Sequence, residues 1–219
     1  MKNVLITGCS RGLGAIIAAE LISKECNVIA HCRDKRSVPG AIANVSGDIT
    51  DIATYEKIDL VLQKYKIDTY VNNAAVHQRK AFLEHSDADI CHIIDTNLIS
   101  QIRLLRRVYE WFRQEEKGLI VNVNSIAGIQ PAPNETVYSA TKYGLKGFSQ
   151  SLQVESIGTN VRIVDVFPGA MKTDMASGRD NFNQLIDPAE ISQRICDVIT
   201  STALTSLETE VVIRKFIQK

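Results

Sequence analysis

The sequence has no long hydrophobic run. Its first apolar run, Val4–Ile6, is far shorter than the core of a secretory signal peptide. Elsewhere no run approaches the roughly 18 apolar residues that a membrane-spanning helix requires. We therefore expect a cytoplasmic protein without a membrane partner.

The sequence also lacks an excess of either charge. Lysine plus arginine number 25 and aspartate plus glutamate number 25, so the net charge is zero. This balance removes the usual argument for nucleic acid as the main partner. The hydrophobic fraction of 45% and the charged fraction of 23% are typical of globular proteins and exclude disorder, collagen or coiled coil as descriptions of the whole chain. No Pro/Gly/Ser-rich linker divides the sequence, so we predict one domain over residues 1–219.

The five cysteines form no recognisable cluster. They are scattered and odd in number, and none belongs to a CxxC pair or to a Cys/His group with metal-ligand spacing. We therefore predict reduced thiols and no metal site. Cys9 lies inside a glycine-rich turn, where a redox role would require an exposed thiol of low pKa.

Short apolar runs alternate with segments of helical periodicity along the whole chain. The runs predict strands at Val4–Ile6, Val28–Ala30, Ile42–Val45, Asp68–Asn73, Leu119–Val123, Val161–Phe167 and Val211–Ile213. The helical segments are Leu13–Leu21, 51–65, 89–113, Tyr138–Gly158 and 188–201. This alternation predicts an α/β fold, a doubly wound seven-stranded parallel sheet covered by helices on both faces in three layers.

A glycine-rich turn, Thr7–Gly14, follows the first predicted strand and opens the first predicted helix. Its spacing is G-x-x-x-G-x-G, through Gly8, Gly12 and Gly14. Glycines at such a turn allow close approach of the backbone to a pyrophosphate, which the amides of the helix N-terminus then bind. The turn therefore predicts a dinucleotide site.

Tyr138 and Lys142 lie four residues apart on a predicted helix, so they share one face. A lysine ammonium beside a phenol favours the phenolate, which lowers the tyrosine pKa towards neutrality. The pair is a candidate proton donor and acceptor, although Y-x-x-x-K also occurs by chance on helix surfaces.

Polar residues of interest also lie at or near the ends of two predicted strands and inside one predicted helix. Ser125 comes just after the Leu119–Val123 strand, and Asn73 ends the Asp68–Asn73 strand. The carboxyl ends of strands in open α/β sheets face the ligand crevice. Asn97 interrupts the apolar face of the predicted helix 89–113.

Together with the turn Pro168-Gly169 after the sixth strand, these features resemble the short-chain dehydrogenase/reductase family over residues 3–214. Within this family the motif sequences are most similar to those of 3-oxoacyl-acyl-carrier-protein reductases. The resemblance implies a Rossmann fold and an oxidoreductase that transfers a hydride between a nicotinamide nucleotide and a carbonyl or secondary alcohol.

The resemblance also implies a role for individual residues. Tyr138 would be the general acid and base, Lys142 would lower its pKa and hold the nicotinamide ribose, Ser125 would polarise the carbonyl, and Asn97 would anchor a water of a proton relay. Residues implied to bind the cofactor are Gly8, Ser10, Arg11, Gly12, Leu13, Gly14, Arg33, Asp48, Ile49, Asn73, Ala74, Tyr138, Lys142, Pro168, Gly169, Met171 and Thr173.

The end of the second predicted strand favours NADP(H) over NAD(H). In NAD-dependent enzymes an acidic residue there binds the ribose hydroxyls. This position falls on Cys32, and Arg33 follows it. Arg33 and Arg11 would converge on a 2′-phosphate, unless both are merely solvated or Asp34 pairs with Arg33.

Several alternatives stay open at this stage. The short segment between Thr173 and Pro188 would leave an open cleft suited to a bulky or carrier-linked substrate, or it would merely be a minimal loop. A catalytically silent sensor of NADP(H) is the alternative function, but such a sensor is expected to lose the tyrosine or the lysine. His77 and His85 could reach a substrate or be bystanders. The resemblance further implies a homodimer or homotetramer, paired through residues 89–113 and 137–158.

Overall fold

Seven parallel strands form one sheet in this computed structural model, which describes residues 1–177, 179–201 and 208–215. The predicted domain limits of 1–219 include positions outside these ranges. The strands β1 to β7 are Asn3–Thr7, Asn27–Cys32, Ala43–Ser46, Thr69–Asn72, Gly118–Val123, Val161–Pro168 and Glu210–Ile213. The predicted seven-stranded parallel sheet is confirmed.

Helices cover both faces of the sheet, as the periodicity predicts. Helices α1 to α6 are Gly12–Ser23, Ile52–Lys64, Asp87–Ile94, Ser100–Gln114, Thr136–Glu155 and Pro188–Thr200. One buried core unites α1 and α6 with the sheet, and a second unites α2, α4 and α5 with its other face. Central strands are apolar on both faces because both are covered, which explains continuous runs such as Val4-Leu5-Ile6.

The strand order, β3-β2-β1-β4-β5-β6-β7, places the candidate site. Strand β1 pairs with β2 on one side and with β4 on the other. Strands β2 and β3 are therefore added on one side of β1, and β4 to β7 are added on its other side, so the order of strands reverses between β1 and β4. Ligands of open α/β sheets bind at such a switch point, outside the carboxyl ends of the strands. Thr7, Asn72 and Val123 end strands at this edge.

The predicted long helix 89–113 is interrupted. Helix α3 ends at Ile94, residues Asp95–Ile99 form a π-helical turn, and α4 begins at Ser100. Inside this turn the Asn97 amide donates to the Val76 carbonyl at 2.7 Å and accepts from the Val76 amide at 2.8 Å. A side chain bonded to a neighbouring loop in this way holds the helix in the wider turn, which periodicity does not reveal.

Most other predicted boundaries shift by one to three residues. Helix α5 ends at Glu155 because Gly158, the predicted end, has a φ of 80° that no α-helix contains. The third strand begins at Ala43, one residue later than predicted. Among the described residues no helix is long and apolar enough to cross a membrane.

Candidate active site

The glycine-rich turn is bound tightly to the end of β4. Gly8 has a φ of 75°, and a Cβ there would lie 2.9 Å from the Ala74 Cα. A Cβ on Gly14 would lie 2.3 Å from the Gly8 carbonyl oxygen. The Asn73 amide donates to the Thr7 carbonyl at 2.8 Å, and the Thr7 hydroxyl accepts from the Ala74 amide at 3.1 Å. Side chains at Gly8 or Gly14 would therefore push this turn away from β4.

The N-terminus of α1 has the features of an anion site. Arg11 is its N-cap, with extended backbone and no capping bond from its side chain, and the first turn holds no acidic residue. Gly12 follows with a φ of 59°, and Leu13 is buried in the core beneath the helix. The first amides of the helix and its dipole favour a negative group. With the close packing at Gly8 and Gly14, these residues fit the pyrophosphate of a dinucleotide.

The segment after β2 carries a further arginine near the glycine turn, beside the Arg11 and Arg33 predicted from the sequence. Cys32 ends the strand fully buried, and Arg33 is exposed. Arg36, which the sequence analysis missed, donates to the Ser10 carbonyl at 2.8 Å and pairs with Asp34 at 3.2 Å. Asp34, which the sequence suggested as a partner of Arg33, therefore pairs with Arg36.

Arg11 forms an ion pair with the loop that follows β6. Its guanidinium lies 3.5 Å from the Asp174 carboxylate, and both side chains are largely exposed. Thr173 lies beside the same turn, since a Cβ on Gly12 would be 3.8 Å from the Thr173 methyl group. The loop after β6 thus lies beside the glycine turn.

The first residues of that loop are fixed by the sheet edge. Pro168 ends β6 and pairs in register with Ile213. The Gly169 amide donates to the Ile213 carbonyl at 2.8 Å. Met171 forms an isolated bridge with Ile186 and packs against the α1 and α6 core.

Asp48 and Ile49 follow β3 and have different environments. The Asp48 carboxylate accepts from the Thr50 amide and hydroxyl, at 2.9 and 2.8 Å. Partial burial opposes its ionisation, but the Thr50 bonds and the Arg33 charge outweigh burial, so the pKa of Asp48 lies below its ordinary value. Ile49 is buried in the second core.

Tyr138 and Lys142 lie one turn apart on α5 and are both buried. The Lys142 Nζ donates to the Val123 carbonyl at 3.1 Å and lies 5.7 Å from the centre of the Tyr138 ring. Ser125 caps the short turn that follows β5, accepting from the Ala127 amide at 3.1 Å. Its hydroxyl also interacts with the Tyr138 phenol. The predicted pair and the predicted serine therefore share one site at the carboxyl edge of the sheet.

The acidity of this pair differs from the expectation. Burial raises the pKa of Tyr138 to about 12, and the bond from Ser125 opposes this only in part. Burial also lowers the pKa of Lys142 to about 8, against the charge of Asp165. The pKa of Tyr138 therefore lies above its ordinary value and not below it as expected, because loss of solvent outweighs the favourable interactions in a site this enclosed.

Asn97 is buried at the edge of the same site. Its amide is committed to the Val76 backbone, two residues beyond Ala74. This bond positions the loop after β4 beside Tyr138. The water relay implied for Asn97 stays a prediction.

An acid that no sequence motif marks lies beside Tyr138, linked to it through His77. His77 packs edge-on against the Tyr138 ring, with centroids 4.6 Å apart and an interplanar angle of 86°. The His77 Nε2 lies 3.5 Å from the Glu135 carboxylate, and Arg179 donates to the same Glu135 oxygen. The only signal in the sequence was the position of Glu135, three residues before Tyr138. Cys9 lacks both features that a redox role requires, because it is buried and burial raises its pKa.

Comparison with known proteins gives the same family as the motifs. A family model described as short chain dehydrogenase matches residues 2–184. The 3-oxoacyl-[acyl-carrier-protein] reductase FabG of Haemophilus influenzae is 32% identical over 184 residues, which cover 80% of this chain and 76% of the relative. Carbonyl reductase family member 4 of Xenopus laevis is 28% identical over 93% of both chains. The crystal structure of serine dehydrogenase from Escherichia coli is similar with a TM-score of 0.84 and 26% identity, over 96% of both chains.

Proposed function

Because the chain belongs to the short chain dehydrogenase family, we propose that it transfers a hydride between NADP(H) and a carbonyl or secondary alcohol, with Tyr138 as the general acid and base. The observation that carries this proposal is the grouping of Tyr138, Ser125 and Lys142 at the same sheet edge as the glycine-rich turn. Function is argued from these side chains, since the fold alone serves many activities.

When bound, the nicotinamide supplies the hydride that reduces the carbonyl carbon. Tyr138 gives its phenolic proton to the carbonyl oxygen, which becomes the hydroxyl of the product. Ser125 lies beside this phenol and donates a hydrogen bond to the same oxygen, which stabilises the negative charge that develops there. In the reverse direction the phenolate of Tyr138 accepts the alcohol proton.

Lys142 and Asn97 support the proton transfer of Tyr138 without contacting the substrate. Lys142 is buried within reach of the Tyr138 ring, so its charge stabilises the phenolate that remains after proton transfer. Its pKa of about 8 lets it exchange a proton near neutral pH. Asn97 would hold the water through which that proton returns from solvent.

The residues around the glycine turn would hold the cofactor. The α1 N-terminus with Ser10, Gly12 and Gly14 binds the pyrophosphate, and Asn73 and Ala74 line the cleft beside it. Asp48 and Ile49 lie at the adenine edge. Pro168, Gly169, Met171 and Thr173 close the nicotinamide side. Preference for the 2′-phosphate rests on Arg33 and Arg36 after the uncharged Cys32.

The substrate is a small or carrier-linked carbonyl compound. A 3-oxoacyl thioester is one candidate, because one relative is named a 3-oxoacyl-[acyl-carrier-protein] reductase. Cytoplasmic localisation and a homo-oligomeric state remain predictions. The NADP(H)-sensor alternative requires a disabled site, whereas Tyr138, Lys142, Ser125 and Asn97 are all present.

A panel of ketones tests the proposal, with oxidation of NADPH followed by its absorbance. Tyr138→Phe removes only the transferable proton, so turnover falls by about 10²–10⁴-fold while NADPH binding persists. Tyr65→Phe, at the end of α2, is the matched control and keeps wild-type turnover. Wild-type kcat in Tyr138→Phe would refute the mechanism.

A further inference from the structure

A group of charged side chains encloses one side of Tyr138. His77 contacts the Tyr138 ring, Glu135 contacts His77, and Arg179 contacts Glu135. The side chains of His77 and Glu135 are only 7% exposed, and that of Arg179 is 25% exposed. Arg179 belongs to the loop after β6, so this ion pair fastens that loop to the start of α5.

Glu135 is ionised in this group. Burial opposes its ionisation, but the hydrogen bond and charge of His77 and the charges of Arg179 and Arg79 outweigh burial and lower the pKa of Glu135 below its ordinary value. The carboxylate is therefore a fixed anchor for Arg179. The charge of Arg179 also reaches the phenol, since it lowers the proton affinity of Tyr138.

The enclosed part of this group is an electrically balanced pair. Arg79 and Asp180 are both exposed, where water screens their charges. Glu135 and Arg179 are largely enclosed and carry one negative and one positive charge. Attraction of an anion therefore depends on the guanidinium donors that Glu135 leaves unused and not on a surplus of charge.

The geometry of Arg179 leaves donors for a ligand. Its contact with Glu135 uses Nη2. A guanidinium has five N–H donors in a planar fork, which suits bidentate binding of a carboxylate. Glu135 fixes that fork in place, so little rotamer freedom remains to be lost on binding.

We propose that Arg179, positioned by Glu135, binds a carboxylate of the substrate, so that the site takes short oxo acids and the corresponding hydroxy acids. This inference rests on the proposed function. The carbonyl carbon gains the hydride, its oxygen gains the Tyr138 proton, and the substrate carboxylate stays ionised and unreacted. Arg179 is thus a specificity-determining residue of that reaction.

Two probes that differ only at the carboxylate test this inference: 3-oxobutanoate and its ethyl ester, each reduced with NADPH. A hydrogen bond to a charged group is worth roughly a 10- to 100-fold change in binding. We expect wild-type kcat/KM to be at least about tenfold higher for the acid. Arg179→Met should remove that preference mainly through KM while changing kcat/KM for the ester less than about threefold.

Two further variants sharpen the test. Arg179→Lys keeps the charge but loses the fork, so its preference for the acid falls between wild type and Arg179→Met. Arg194→Met, at an exposed arginine on α6, leaves the preference unchanged.

The possible failures are distinct. Equal use of acid and ester by the wild type, or an equal loss for both probes in Arg179→Met, would overturn the carboxylate assignment alone. Failure on both probes in a protein that reduces other ketones would do the same. Failure on every ketone of the panel would overturn the proposed function.

Discussion

Tyr138 is surrounded by groups with opposing effects on its proton. Burial and the Glu135 carboxylate favour the phenol, whereas Ser125 and Arg179 favour the phenolate. A buried phenol of high pKa holds its proton until the carbonyl oxygen beside it becomes strongly basic in the transition state. We therefore propose proton donation to a developing alkoxide as the step for which this side chain is suited.

We propose that single residues also decide the cofactor preference. Cys32 provides no charge where an acid would bind ribose hydroxyls and repel a 2′-phosphate. We expect NADPH to bind at least about tenfold more tightly than NADH, a difference of ~1.4 kcal/mol. Arg33→Ala and Arg36→Ala should each weaken NADPH binding selectively, and Cys32→Asp should shift preference towards NADH. Titration of both cofactors into each protein measures these effects.

Lys35 provides the control for this experiment. It is exposed and lies between the two arginines in sequence, so Lys35→Ala removes the same charge from the same loop. If Lys35→Ala weakens NADPH binding as much as Arg33→Ala and Arg36→Ala do, only the general charge of the loop matters. Equal affinities of wild type for NADPH and NADH would refute the preference itself.

At the scale of elements, strand register aligns four polar residues across the sheet. Asn72 pairs with Asn122, Asn122 with Asp165, and Asp165 with Glu210. The Asn72 amide donates to Asn122 at 3.1 Å, and the Asn122 amide donates to Ser149 on α5 at 3.1 Å. Asp165 is fully buried in this row, and burial raises its pKa to about 7.

This row predicts a pH-dependent stability. The pKa of Asp165 is about 7 when folded and ordinarily 3.8, so the folded state binds this proton more tightly. Its contribution to stability is complete below the ordinary pKa and is lost as pH rises through about 7. The stability of Asp165→Asn relative to wild type should therefore increase over this range, by up to roughly 4 kcal/mol. Urea unfolding at a series of pH values measures the difference.

Glu190→Gln is the control for this measurement, because Glu190 is exposed on α6 and is not among the groups that shift the pKa of Asp165. Its stability relative to wild type should change little over the same pH range. A difference between Asp165→Asn and wild type that is constant with pH would show that Asp165 is ionised in the folded protein.

Elements were more predictable than the contacts between them. The seven strands follow from local apolar runs, and the glycine turn from a local spacing. The π-helical turn depends on Asn97 reaching Val76, 21 residues away, and the Glu135–Arg179 pair joins residues 44 apart. Such side-chain contacts form only after the loops meet at the sheet edge, so periodicity contains no signal for them. Arg36 was missed for the same reason.

At the scale of the whole molecule, the outer surface of α5 predicts association. Tyr143 is 45% exposed and Val154 is 68% exposed, and Gly147 lies between them with no atom within 4 Å of a Cβ placed there. Zero net charge imposes no long-range repulsion between copies. We expect light scattering to give the mass of a homodimer or homotetramer. Val154→Glu places a charge on this surface and should lower the measured mass towards that of a monomer. A stable wild-type monomer at micromolar concentration would contradict this expectation.

The central claim is hydride transfer from the nicotinamide to a carbonyl carbon, and isotope labelling tests it most directly. NADPH carrying two deuterium atoms at C4 is supplied with the best ketone of the panel, and the alcohol is analysed by mass spectrometry. We expect one deuterium on the former carbonyl carbon in the wild-type product, and almost no product with Tyr138→Phe. An alcohol without deuterium at that carbon would contradict the account.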